Sequence, residues 1–178
     1  MNWKSKYNIE FKGLKEGLHD FEFEIDKLFF EHFEDRLVDN GEVTVKVILE
    51  KRSTFLKLQL KIGGWLELTC DRCLDNYNQP IENEAELFVK FGETKYEDAE
   101  NVIWVDPEEH VINLAQVIYE YASLSIPLRH IHPKNKEGKR ECNKEMLKKL
   151  KGYMHTESAE EPKTDPRWDA LKGLGYNN

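Results

Sequence analysis

The feature that most constrains the fold is an alternation of apolar and polar residues through the first half of the chain. Apolar residues recur at every second position in Tyr7–Phe11, Phe21–Ile25, Val43–Leu49, Leu56–Ile62 and Leu66–Cys70, and in Ile81–Phe91 except at Asn83. Successive side chains of a strand point to opposite faces, so this period predicts strands with one wet face, as in antiparallel sheets. Gly63-Gly64 predicts a tight hairpin turn between two of these strands. With about six strands, the sheet is expected to curl into a barrel or sandwich.

Helical spacing interrupts the alternation at two places. "DKLFFEHFEDRL" predicts a short helix with Asp26 as its N-cap, covering an open end of the sheet. After a last strand at "NVIWV", residues 113–126 predict a largely buried helix that Pro127 stops. We therefore expect residues 1–133 to form one β-rich domain that includes this packed helix. The predicted fold class is α+β, mainly antiparallel β, with C-terminal helices.

The composition changes after Pro133, which predicts further segments. Residues 134–152 form a basic segment whose latter part can be a helix ending at Gly152. Residues 153–164 read as a polar linker, and residues 165–175 predict a terminal helix. So short a helix is marginal alone in water, so it is expected to dock on its own domain or on a partner.

Composition and charge exclude several classes of protein. The 178-residue chain has a net charge of −8, which argues against simple coating of nucleic acid. No apolar run approaches the ~20 residues of a membrane helix, and the N-terminus has no apolar core of a signal peptide. Its three cysteines cannot all pair, so we expect reduced thiols, a cytoplasmic location and no membrane partner.

The charge is unevenly distributed along the chain. Ten acidic residues and two lysines lie between Glu82 and Glu109, whereas eight basic and three acidic residues lie between Lys134 and Lys151. Each run can be solvated surface, but the basic one can also contact an anionic partner. The candidate contacts are Arg72, Arg129, Lys134, Lys136, Lys139 and Arg140.

Cys70-Asp-Arg-Cys73 is the chain's main candidate for a chemical site. Two thiolates at this spacing can reach one tetrahedral zinc ion, and Cys142 with His132 can complete the ligand set. A redox pair is disfavoured, because "LDNYNQP" after Cys73 does not begin the helix whose dipole lowers a thiol pKa. Two interpretations stay open: a zinc site, and a hairpin loop with reduced cysteines and no ligand.

No other pattern in the chain predicts catalysis. The G-x-S-x-G, H-E-x-x-H, P-loop and G-x-G-x-x-G motifs are absent from the sequence. The glutamates between Ile81 and Phe91 are expected on a wet face, without the burial that tunes a general acid. We therefore expect neither an enzyme nor a small-molecule substrate.

Three stretches in this order resemble the YceD family, in a form like its Bacteroidetes-type members. They are "CDRCLDNYNQPIENEAELFVKF", "INLAQVIYEYASLSIPLRHIHP" and "DPRWDALKGL", spanning Cys70 to Leu174. The resemblance implies a role in accumulation of large ribosomal subunit RNA. Many members carry a second cysteine pair after the helix, which suits a four-thiol zinc site; this chain has only Cys142 there.

The resemblance suggests a non-enzymatic factor in ribosome biogenesis that binds large-subunit ribosomal RNA or a ribosomal protein. The acidic stretch from Glu82 to Glu109 suits a basic ribosomal protein better than RNA. The alternative function is a zinc-stabilised interaction module unrelated to RNA.

Overall fold

A computed structural model describes residues 2–34, 36–92, 101–154 and Arg167. The strands are β1 (Asn8–Glu10), β2 (Gly17–Ile25), β3 (Gly41–Lys51), β4 (Phe55–Thr69), β5 (Asn76–Phe91), β6 (Val102–Val105) and β7 (Val111–Asn113). The helices are a 3₁₀ turn (Trp3–Tyr7), α1 (Lys27–Phe30), α2 (Ala115–Leu124) and α3 (Lys144–Tyr153).

The central element is a five-stranded sheet in the order β2-β3-β4-β5-β6. Its strands pair antiparallel except β5 with β6, which are parallel, and β1 pairs antiparallel with β7 in a small second sheet. The predicted class, mainly antiparallel β with some helices, is confirmed. In the described part of the chain the sheet is not closed into a barrel, because β2 and β6 form its two edges.

The alternating residues place one face of the sheet in the core, as their period predicts. The buried positions of the central strands are Val43, Val45, Val47, Leu49, Leu56, Leu58, Leu60 and Ile62. The 3₁₀ turn, α1 and α2 cover this face, contributing Tyr7, Phe29 and Ile118 to the core. Full burial of each such side chain contributes roughly 1.5–3 kcal/mol, so this face determines the register of the strands.

The hairpin predicted at Gly63-Gly64 is wrong, because β4 runs straight through both residues. Gly64 lies opposite Val43 in the ladder, and its φ is +153°. A β-carbon there would overlap the Glu42 carbonyl oxygen and approach Val43 Cα to 2.8 Å. The glycine is needed for close approach of two strands, and the reversal of the chain comes later, after Thr69.

The helices differ from the predictions mainly in their limits. Asp26 caps α1 as predicted, since its Oδ1 accepts a hydrogen bond from Phe29 N at 3.2 Å, but α1 has only four residues. α2 begins at Ala115 rather than at 113, because Asn113 belongs to β7. α3 covers the helix predicted in the basic segment. The linker beyond Met154 and the terminal helix at 165–175 lie outside the described residues, Arg167 excepted, and the division into segments stays a prediction.

None of the helices described is both long enough and apolar enough to span a membrane.

Candidate metal centre

The loop that joins β4 to β5 carries Cys70 and Cys73. Leu74 N donates to the Cys70 carbonyl at 2.9 Å, and Cys70 N donates to the Asp75 carbonyl at 3.0 Å. These bonds close a tight loop in which Leu74 adopts a positive φ of 63°, uncommon for a residue with a side chain. Both thiols consequently point inward, and both cysteines are buried.

Asp71, inside the same loop, fastens the chain segment that brings His132 to the cysteines. Asp71 N donates to the His130 carbonyl at 2.7 Å, and the Asp71 carboxylate accepts from His130 N at 2.8 Å. Two residues further on, the His132 ring lies 4.8 Å from the ring of Tyr77 in β5. Nothing in the sequence reasoning singled out Asp71, although its place between the two cysteines could have suggested a loop-stabilising role.

Cys142 reaches the same place from the other side of a short excursion of the chain. Lys134 and Arg140 pair in an isolated antiparallel bridge, and Arg140 Nη1 donates to the His132 carbonyl at 2.6 Å. These contacts return the chain to His132, and Cys142 is buried two residues later. The four residues predicted from the sequence, Cys70, Cys73, His132 and Cys142, therefore meet.

The ligand atoms of this Cys3His cluster are spaced for a tetrahedral ion. All four lie within 4.8 Å of one another. The His132 Nδ1 is 3.6 Å from Cys73 Sγ and 3.7 Å from Cys142 Sγ. A tetrahedral zinc ion with Zn–S of about 2.3 Å and Zn–N of about 2.1 Å would place these atoms about 3.6 Å apart. The cluster can thus hold a metal ion, and its soft sulfur donors are those that zinc prefers.

The thiols do not titrate alike. Burial alone would raise the pKa of Cys70, but the backbone N–H groups of Arg72, His132 and Cys73 and the His132 ring lower this pKa to about 6. Burial raises the pKa of the Cys142 thiol, and the neighbouring sulfurs of Cys70 and Cys73 raise it further. This lowered pKa favours the thiolate form of Cys70, which is the form that binds metal.

The predicted partner-binding residues lie around the cluster on the surface. Arg72 is exposed in the cysteine loop, and Arg129 is exposed just before His130. The other four, Lys134, Lys136, Lys139 and Arg140, belong to the fully exposed stretch 133–141. Two of the six have partners within the protein. Lys139 Nζ lies 3.4 Å from a Glu137 carboxylate oxygen, and Arg140 donates a hydrogen bond to the His132 carbonyl.

The solvent-facing side of the sheet is different, because three of its lysines lie within ion-pair distance of glutamates on neighbouring strands. Lys46 lies 3.9 Å from Glu22. Lys61 lies 3.2 Å from Glu84, and Lys57 lies 2.7 Å from Glu86. The acidic stretch predicted from the sequence is therefore partly balanced where the structure describes it.

An open, mainly antiparallel sheet with a Cys3His cluster at one hairpin loop defines the class: a small β-rich protein with a candidate structural metal centre. Its family follows from a family model, described as large ribosomal RNA subunit accumulation protein YceD, that matches residues 58–175. The chain belongs to the YceD family, as the three sequence stretches predict. Searches of curated proteins and of solved structures each gave no significant match.

Proposed function

We propose that this protein supports accumulation of large-subunit ribosomal RNA by binding that RNA, with a zinc ion holding its cysteine loop together and no catalysis of its own. Membership of a family described by large ribosomal RNA subunit accumulation supports the process. The mode of action rests on the charge around the Cys3His cluster.

Unpaired basic side chains beside the cluster are the observation that carries the proposal. Arg72, Arg129, Lys134 and Lys136 are exposed, and among the described residues none of them forms an ion pair. Exposed acidic residues such as Asp71, Glu137 and Glu141 lie in the same segments, but from Lys134 to Lys151 the basic residues outnumber the acidic ones by eight to three. Lysine and arginine side chains without internal partners are free to contact phosphates, and these contacts supply most of the affinity for nucleic acid.

The donor set fits zinc in a structural role. Three thiolates and one imidazole fill a tetrahedral ion and leave no open position for water or substrate. The binding free energy of such sites, about 10–16 kcal/mol in small zinc domains, contributes directly to folding. We therefore expect one zinc per chain and no reaction at the metal, in a compartment that keeps thiols reduced.

A basic ribosomal protein is the second candidate partner, and Glu82 of β5 favours it. Glu84 and Glu86 already pair with lysines of β4, whereas no described basic group forms an ion pair with Glu82. Direct competition between RNA and purified ribosomal proteins decides between the two partners.

The experiment measures binding of the purified zinc-loaded protein to a large-subunit ribosomal RNA fragment at several salt concentrations. A Lys134→Gln/Lys136→Gln variant is compared with a Lys46→Gln/Lys61→Gln control, which removes the same charge from the sheet. We expect only the first variant to lose affinity, by about tenfold, with the slope of log K against log salt falling by ~0.7 per lost phosphate contact.

Equal affinities for the two variants would contradict the proposed surface. Stoichiometric zinc together with no measurable RNA binding would favour the alternative, a zinc-stabilised interaction module unrelated to RNA.

A further inference from the structure

The basic segment is attached to the rest of the protein through very little apolar surface. From residue 133 to residue 154, Cys142 is the one buried residue. α3 has no buried residue, and only Met146 and Leu147 of this helix pack partly against the core. The Lys134–Arg140 bridge and the bond from Arg140 to His132 tie this segment to itself and to His132, not to the sheet. Its deepest anchor is therefore a side chain of the Cys3His cluster.

A row of lysines lies beside the apolar positions of α3. Lys144, Lys148 and Lys151 are spaced by four and three residues, so they share one face of the helix and extend over about 10 Å of its length. All three are exposed, and no described carboxylate forms an ion pair with any of them. This lysine face therefore differs from the sheet, where Lys46, Lys57 and Lys61 each meet a glutamate.

We infer that a metal ion bound in the Cys3His cluster orders α3 and thereby positions the lysine face of this helix (Lys144, Lys148 and Lys151) for contact with the RNA backbone. Metal binding and RNA binding then strengthen each other. This inference rests on the proposed function and adds the α3 face and the coupling to it. The ligand of the lysine face is a row of RNA phosphates, to which the lysines contribute point charges without contacting the bases.

The coupling follows from where the ligands come from. Cys70 and Cys73 belong to the β4–β5 loop, whereas Cys142 lies directly before the N-cap of α3, Asn143. An ion bound to all of them joins the helix to the sheet by a metal–sulfur bond on each side. Without the ion, the helix keeps only the partial packing of Met146 and Leu147, and a ten-residue helix is marginal alone in water. RNA then has to bind a disordered segment and offset the cost of ordering it, which weakens binding.

The test uses the full chain in zinc-loaded and chelator-stripped forms. Hydrogen exchange measures whether the ion orders the segment. On zinc removal we expect amide protection to fall across residues 142–154 and to persist in β3 and β4. RNA affinity is expected to fall by about tenfold, and saturating RNA is expected to raise zinc affinity by the same factor, because coupling between two ligands is reciprocal.

A matched pair of variants isolates the lysine face. Lys144→Gln/Lys148→Gln/Lys151→Gln is expected to bind RNA weakly, equally with and without zinc, and to bind zinc normally. Lys46→Gln/Lys57→Gln/Lys61→Gln removes the same charge and is expected to keep the zinc dependence of the unmodified protein.

Each other outcome overturns the inference in a recognisable way. RNA binding that is strong and identical with and without zinc removes the coupling and leaves the proposed function standing. RNA binding in neither form removes the proposed function and the inference together. Unchanged protection of residues 142–154 after zinc removal ends the inference alone. Failure of the chain to bind zinc ends the inference and also removes zinc from the proposed function, while RNA binding keeps its own test.

Discussion

Replacement of Gly64 by alanine tests the reading of β4 as one uninterrupted strand leading to the cysteine loop. The new β-carbon would overlap the Glu42 carbonyl oxygen and lie 2.8 Å from Val43 Cα, at a φ of +153°. A side chain forced into such a backbone conformation costs about 1–3 kcal/mol, and overpacking costs about 1–3 kcal/mol more. We expect Gly64→Ala to lower the free energy of unfolding by about 4 kcal/mol, a large part of the 5–15 kcal/mol typical of domains.

Gly63→Ala is the matched control, because a β-carbon at Gly63 has no atom within 4 Å. This change should stay within about 0.5 kcal/mol of the unmodified protein. Urea unfolding of the zinc-loaded proteins measures both; with a slope of about 2 kcal/mol per molar, the midpoint of Gly64→Ala should fall by about 2 M. A free energy of unfolding for Gly64→Ala within about 1 kcal/mol of that for Gly63→Ala would refute the close approach of β3 and β4.

The remaining predictions concern the cluster and one loop. The pKa of Cys70 is lowered from 9.0 to about 6, so between these pH values the unfolded chain binds a proton that the folded chain does not. The stability of the metal-free protein should therefore rise from pH 6 to pH 9, by at most ~1.4 kcal/mol per pH unit. This rise should be absent in Cys70→Ser. Arg140→Ala should weaken zinc binding about tenfold in a competition titration without changing stoichiometry, because the carbonyl of His132 loses its donor, whereas Lys139→Ala should not. Lys51 Nζ donates to the carbonyls of Phe11, Lys12 and Leu14 at 2.9, 3.2 and 2.8 Å, so Lys51→Met should cost about 2 kcal/mol in chemical unfolding; an unchanged midpoint would show that the loop needs no such tie.

The charge of the protein has a consistent arrangement in the structure. On the sheet, each of three lysines meets a glutamate of a neighbouring strand. Around the cluster and on α3, basic side chains largely lack such partners in the described chain. An acidic protein can therefore present a basic surface locally, and the overall charge of −8 does not by itself exclude a nucleic-acid partner.

Local sequence pattern was sufficient for the class of fold and for proposing the four side chains that the structure brings together. Period-two alternation determines which side chains of β3 and β4 are buried, because a strand has only two faces. Asp26 was identifiable as an N-cap from residue type and position. Cys70, Cys73 and Cys142 are the three thiols of the sequence, and His132 was proposed with them as a nearby imidazole chemically suited to the same ion.

Tertiary structure alone decided how these pieces meet. Gly63-Gly64 fits a hairpin and a close strand contact equally well in sequence, and only the neighbouring backbone of Glu42 and Val43 distinguishes them. The spacing of ten residues from His132 to Cys142 matches no standard motif. These residues meet the cysteine loop through the Asp71–His130 hydrogen bonds and the bond from Arg140 to His132, which join loops that are separate in the sequence. Local residue pattern determines the period of an element and the chemistry of its side chains, whereas distances between distant segments depend on packing and hydrogen bonds that exist only once the whole chain has folded.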